Sequence, residues 1–250
     1  MKYLDFDRLK TLINAEFTSV FQMKDFNESL DTVSKDDKSP LTKIDLRISE
    51  LFEKACSEKK ILLISEENTH RKMEFPFAVL DPIDGTRELV KGWPECAVSY
   101  AFLKDPIIGH KLNRAWIYNP FTGLDMRSDG VFCHAPARRK KDLLGLVSQT
   151  EFTDKLFDDL SGKFLFLSPR GSIANKLAIL ASGGCDFVLS RRPKNLWDIA
   201  AGTELCQQRG IHFYVNGKRH DRWIDLQISG EELLWVHPEQ YHCVRDLLQK

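Results

Sequence analysis

No stretch of the 250-residue chain approaches the ~20 apolar residues that a membrane helix requires, and the opening MKYLDFDRLK lacks the apolar core of a secretion signal. Membrane and exported classes are set aside on that basis, and the expected compartment is the cytoplasm. The six cysteines, Cys56, Cys96, Cys133, Cys185, Cys206 and Cys243, form no CxxC pair and no Cys/His ligand spacing, so they read as reduced thiols rather than a zinc framework. Excess charge of either sign is also missing, since Lys plus Arg and Asp plus Glu both number 36. A chain without a net field is not expected to grip long nucleic acid, although local basic patches can still hold single phosphates. Internal repeats and low-complexity segments are absent too.

What remains is an ordinary globular composition, 42% apolar and 29% charged, with length enough for one large domain or two closely packed ones. Helical spacing of Leu9, Leu12, Ile13, Phe17, Val20 and Phe21 predicts a helix from about Asp5 to Phe26. A second follows Pro40, with Ile44, Ile48, Leu51, Phe52 and Ala55 on one face and Thr42 and Asp45 one turn apart. Short apolar runs at Ile61–Ile64, Phe77–Leu80, Cys96–Leu103 and Ala115–Tyr118 predict a largely antiparallel sheet. Beyond residue 143, strands Leu143–Val147, Phe164–Leu167 and Phe187–Leu189 alternate with helices at Ser172–Ala181 and Asp198–Arg209, the last stopped by Gly210. The expected class is therefore α/β (α+β) in two parts: residues 1–137, helices on an antiparallel sheet, and residues 138–250, an α/β unit. The boundary is expected near 134–142, where the basic run Arg138, Arg139, Lys140, Lys141 reads as a solvated connection.

The strongest chemical signal is Asp81-Pro82-Ile83-Asp84-Gly85-Thr86, directly after an apolar strand. Two carboxylates three residues apart, bracketing a Pro turn, can share a pocket, where they repel unless a cation lies between them; an oxygen-only cluster suits Mg²⁺. Gly85 permits close approach of the backbone, and Thr86 opens a short helix whose free N–H groups can hold a phosphate. An isolated Asp-Gly is usually just a turn, and a lone Asp198 is usually a helix cap. Glu66 and Glu67, at the end of another strand, shift that balance.

Ser-Glu-Glu at 65–67, Asp-Pro-Ile-Asp-Gly-Thr at 81–86 and Trp-Asp-Ile-Ala-Ala-Gly at 197–202 resemble, in order and spacing, the three signatures of the inositol-monophosphatase superfamily. Thr42-Lys43-Ile44-Asp45 is similar to its Thr-x-x-Asp, and Gly171-Ser172 with Gly183-Gly184 fit its later pattern. The resemblance implies an alternating αβαβα layered fold and a magnesium-dependent phosphatase. It implies that Asp81 bridges two Mg²⁺ ions, with Glu66 and the Ile83 carbonyl on the first and Asp84 and Asp198 on the second. The phosphate would rest on the metals and on the N–H groups of Gly85 and Thr86, with Ser172 among the substrate contacts. Asp45, hydrogen-bonded to the Thr86 hydroxyl, would activate the attacking water, Glu66 assisting through a third, weaker metal. Lithium sensitivity is implied as well. Lys35 matches a basic residue near the metal waters, and a solvent-facing lysine is the equal alternative. The N-terminal helical region and the Thr122–Phe132 hairpin are shorter than in the family, and Asn68 stands where small or acidic residues are usual.

Ser39 to Thr42, Arg87-Glu88 and Pro193 to Asp198 look more like the 3′(2′),5′-bisphosphate nucleotidase branch than the inositol branch. The expected substrate is then 3′-phosphoadenosine 5′-phosphate, a small phosphorylated metabolite, with inositol monophosphate and fructose 1,6-bisphosphate as alternatives. Arg191, Arg192 and Lys194, just before Asp198, are the cations expected at the second phosphate, unless they are solvated loop charges. A non-catalytic homologue that keeps the fold for binding is a reading from another class; a homodimer is compatible with any of them.

Overall fold

The computed structural model describes residues 3–21, 30, 32–34, 40–68, 72–130, 143–160 and 165–249. Helices α1 (Phe6–Phe21) and α2 (Lys43–Glu58) come first, separated by a two-residue antiparallel pair, β1 (Val33–Ser34) and β2 (Pro40–Leu41). A five-stranded sheet follows in the order β3 (Leu62–Ser65), β4 (Phe77–Asp84), β5 (Ala97–Leu103), β6 (Arg114–Tyr118), β7 (Asp125–Arg127), with the short helix α3 (Thr86–Val90) after β4. The second half contributes β8 (Leu143–Ser148), α4 (Gln149–Thr153), β9 (Leu165–Arg170), α5 (Ile173–Ala181), β10 (Phe187–Ser190), β11 (Lys194–Asn195) and α6 (Leu196–Gln207). It ends with β12 (His212–Val215), β13 (Lys218–Arg219), β14 (Gln227–Ile228), β15 (Leu233–Val236) and α7 (Pro238–Gln249). Its sheet runs β13-β12-β15-β10-β8-β9, while β11 pairs with β14.

Side-chain parity turns these elements into five layers. Successive residues of a strand point to opposite faces. Leu63, Ala78, Leu80, Val98, Tyr100 and Trp116 accordingly pack with Ile13, Ile48 and Phe52 of α1 and α2. Their neighbours Ile64, Phe77, Val79, Ala97, Ala101 and Ile117 pack with Leu177, Ile199, Ala200 and Leu205 of α5 and α6. The second sheet covers the other side of those helices with Leu146, Val188, Phe213 and Trp235. Its outer face, carrying Val147, Phe187, Leu189 and Leu234, meets Val244 and Leu248 of α7. The result is αβαβα, with α5 and α6 as the filling between two sheets.

The first sheet is largely antiparallel, as expected, with one edge where β3 runs parallel to β4, and two further details depart from the sequence-based expectation. Strand β4 does not stop at Leu80; it continues through Pro82 to Asp84, and its register against β5 shifts between Asp81 and Asp84. Proline has no N–H to give the ladder, so the irregularity falls where the ladder is weakest. On a regular strand, residues three apart would point to opposite faces; the shift lets Asp81 and Asp84 line one cavity. Secondly, α6 begins at Leu196, which moves Asp198 from the cap into the first turn. Gly210 does stop that helix, with φ 74° and its N–H donating to Gln207 O while the Ile211 N–H donates to Cys206 O.

The expected boundary near 134–142, the basic run at 138–141, Lys35 and Cys133 lie outside the described residues. Among the described residues no helix is long and apolar enough to cross a membrane.

Candidate active site

A cavity of about 370 Å³ opens at the junction of the two halves. Glu66, Asp81, Ile83, Asp84, Gly85 and Thr86 line it from the first half, Ser172, Lys176, Lys194 and Asp198 from the second. Each acid is set by its own local structure. Glu66 follows β3, and its N–H donates to Leu80 O of β4 at 3.1 Å. Asp81, 3% exposed, accepts from the Ile83 N–H at 3.0 Å through Oδ1. Asp84 Oδ2 accepts from the Ser172 hydroxyl at 2.7 Å and from the Ala174 N–H at 2.5 Å. Asp198 Oδ2 accepts from the Asn195 N–H at 3.0 Å, and α6 itself is tied to the first sheet by the Ser99 hydroxyl donating to Trp197 O at 3.1 Å. Gly85 sits at φ 97°, and a Cβ there would lie 2.6 Å from the Glu95 carbonyl, so only glycine fits this turn.

The acids raise one another's proton affinity. Burial, then Glu66, Asp84 and Asp198, hold Asp81 well above the usual carboxylate range. Asp198 is pushed up to about 8 by burial and by Asp84. Asp84 is raised by burial and partly relieved by its bonds to Ser172 and Ala174 and by Lys176 and Lys194. An anionic wall of this kind is costly to keep ionised without a counter-charge.

Asp45, 1% exposed at the start of α2, stands behind this wall. The Thr42 N–H and hydroxyl donate to its Oδ2 at 2.8 and 2.5 Å, and burial outweighs them to place its pKa at about 6. The Thr86 hydroxyl reaches Asp45 Oδ1 at 3.3 Å and the Ile83 carbonyl at 2.8 Å. It has one proton, so the two acceptors compete for it.

The cations are arranged differently from the sequence-based expectation. Arg191 donates to both Asp159 oxygens at 2.5 and 2.8 Å and to Leu156 O at 2.6 Å, and Arg192 donates to Asp154 at 2.5 Å. Neither lines the cavity, because α4 and the turn after it bring Asp154 and Asp159 beside them, a proximity no sequence spacing reveals. Lys194 does line it, donating to buried Glu151 at 3.1 Å. Lys176 lines it as well and was missed; burial lowers its pKa to about 8, and it donates to the carbonyls of Arg170 and Gly171 at 3.0 and 3.1 Å. Its signal was available, since it is the single charged residue in the apolar helix IANKLAILA. Arg87 and Arg170 line the cavity as well.

The donor set fits a hard divalent cation by chemistry: four carboxylates and a backbone carbonyl, all oxygen. One oxygen each of Asp81, Asp84 and Asp198 is bonded within the chain, which leaves the other for an ion. The fit is that of a shared wall rather than a finished cage, for among the described residues no three His, Cys, Asp or Glu side chains close around one point.

Residues 8–231 match the inositol monophosphatase family. The chain is 25% identical over 209 residues to the 3′(2′),5′-bisphosphate nucleotidase CysQ of Escherichia coli K12, covering 78% of this chain and 84% of that one. It is 28% identical over 165 residues, 61% of each chain, to the fructose-1,6-bisphosphatase/inositol-1-monophosphatase of Archaeoglobus fulgidus. A solved IMPase/NADP phosphatase, complexed with Mg²⁺ and phosphate, superposes with a TM-score of 0.70 at 17% identity, over 97% of this chain and 92% of that one. The chain belongs to the inositol monophosphatase family and, with it, to the hydrolases of phosphate monoesters.

Proposed function

We propose that the chain is a Mg²⁺-dependent phosphatase whose substrate carries a second phosphate, with 3′-phosphoadenosine 5′-phosphate as the preferred class member. The observation that carries this reading is the cavity itself, which buried acids line together with the cations Lys176, Lys194, Arg87 and Arg170. Glu66, Asp81, Asp84, Asp198 and the Ile83 carbonyl are the residues that would hold the metal. Bound there, Mg²⁺ supplies neutralisation of phosphate charge and raises the acidity of a water. The chain does the rest. Asp45, fixed by Thr42, takes a proton through the Thr86 hydroxyl when that hydroxyl turns from Ile83 O. The Gly85 and Thr86 N–H groups would face the phosphate, and the lining cations would read the second one by charge-assisted hydrogen bonds. Arg191 and Arg192 have no part in this reading, because they do not line the cavity.

Two relatives support different substrates, a bisphosphate nucleotide and a sugar or inositol phosphate. The cations that line the cavity beside the acids favour the former. Phosphate release measured across 3′-phosphoadenosine 5′-phosphate, fructose 1,6-bisphosphate and inositol monophosphate tests the choice. The nucleotide is expected to show the highest kcat/KM; a preference for inositol monophosphate would remove the second-phosphate argument. Activity is expected to vanish on chelation and return with Mg²⁺, and lithium inhibition, implied by the family resemblance, is expected to accompany it. Full turnover in excess chelator would exclude the metal reading.

A further inference from the structure

Ser172 is the residue whose conformation the substrate reading leaves unexplained. Its φ is 47°, in the left-handed region that serine rarely adopts, and it is only 6% exposed. Such a conformation persists only where the surroundings over-determine it. Here they do so from several sides. The hydroxyl donates to Asp84 Oδ2 at 2.7 Å and accepts from the Asn175 N–H at 3.0 Å, so both of its functions are spent inside the chain. The adjacent Gly171 N–H donates to Glu95 at 2.6 Å, and Arg170 donates to the same carboxylate at 2.9 Å, which fixes the approach to the turn from the first half. The Ala174 N–H, at the start of α5, donates to the same Asp84 oxygen as the hydroxyl.

We infer that Ser172 is a positioning residue: from the second half of the chain it orients the Asp84 carboxylate at the end of β4, and thereby sets the affinity of the metal site. The inference rests on the reading of Asp84 as a metal ligand, and it replaces the expected role of Ser172 as a substrate contact. Two donors on one oxygen lock the carboxylate rotation and direct the remaining oxygen to the ion. Partners that orient a ligand in this way are worth about ten- to a hundredfold in metal affinity.

The test measures metal binding directly, by the electron paramagnetic resonance signal of free Mn²⁺ titrated against the full chain, with the Mg²⁺ concentration for half-maximal activity as a second readout. Ser172→Ala and Ser172→Gly, which lack the hydroxyl, are expected to weaken Mn²⁺ binding about ten- to a hundredfold. Ser172→Gly separates positioning from folding, because glycine relaxes at φ 47° and the variant is expected to melt no lower than the wild type while still losing metal affinity. Asp84→Asn serves as the reference. If Asp84→Asn loses the metal while both Ser172 variants bind it as the wild type does, the positioning role is overturned and the metal reading stands. If Asp84→Asn also binds Mn²⁺ normally, the metal reading falls and takes this inference with it.

Discussion

Burial governs two carboxyl groups here with opposite consequences for function. Asp45 is held near pKa 6 by burial, against the pull of Thr42, so its base form fills as pH rises through that value. The phosphatase rate at saturating Mg²⁺ is expected to climb between about pH 5 and 7 and then level, and Thr42→Ala, which removes a bond that favours the charged form, should move the midpoint upward. A pH–rate profile whose acidic limb is unmoved in Thr42→Ala would release Asp45 from the role of base. Glu204 lies far from this chemistry, in α6, with the Trp223 and Asn113 side chains donating to Oε1 and the Gly109 N–H to Oε2. Burial nonetheless lifts its pKa to about 7. A folded-state pKa above the unfolded value means that the folded chain binds more protons in that window, so this contribution to stability is complete below about pH 4.5 and is lost as pH rises through about 7. Glu204→Gln turns an amide N–H₂ against one of three donors and should cost about 1–3 kcal/mol, while flattening that part of the pH dependence of denaturant unfolding. The acids lining the cavity were legible in sequence through their company, Asp81 and Asp84 bracketing a proline after one strand and Glu66 ending another, while Asp198 was legible only through the family resemblance. Arg191 and Arg192 were misread, since their partners Asp154 and Asp159 sit on a separate element whose placement only the fold determines.

Between elements, α5 and α6 approach one another closely. A Cβ on Gly202 would come within 2.4 Å of the Leu177 Cβ, so the two helices meet through a missing side chain. Gly202→Ala gains helix propensity but overpacks this seam, and the net loss is expected to be about 1–3 kcal/mol in denaturant unfolding. Wild-type stability in that variant would show that the helices can slide apart at no cost. Most elements were readable from periodicity: α2 from its buried Ile44, Ile48 and Phe52, β5 and β6 from their apolar runs. Strand β4 was cut short in the reading because Pro82 signals a turn, whereas here it produces a register shift within the strand. The parallel pairing of β3 with β4 had no local signal at all, for strand direction depends on where the connecting chain travels.

At the scale of the molecule, α5 and α6 belong in sequence to the second half, yet they cover Ile64, Phe77, Val79, Ala97 and Ala101 of the first sheet. Residues 1–137 produced alone would leave that face bare, an apolar surface far larger than soluble chains tolerate, and are expected to aggregate. Residues 138–250 alone would expose the other side of the same two helices. Recovery of either fragment as a soluble, cooperatively folding monomer would show that the shared layer is dispensable. Produced together, the two fragments should instead find each other, because each is the missing half of the other's core. Phosphatase activity would report their union, since Asp81 and Asp84 arrive on one fragment and Ser172 and Asp198 on the other. Catalysis in this chain is thus expected to survive division of the polypeptide, as a property of reassembly.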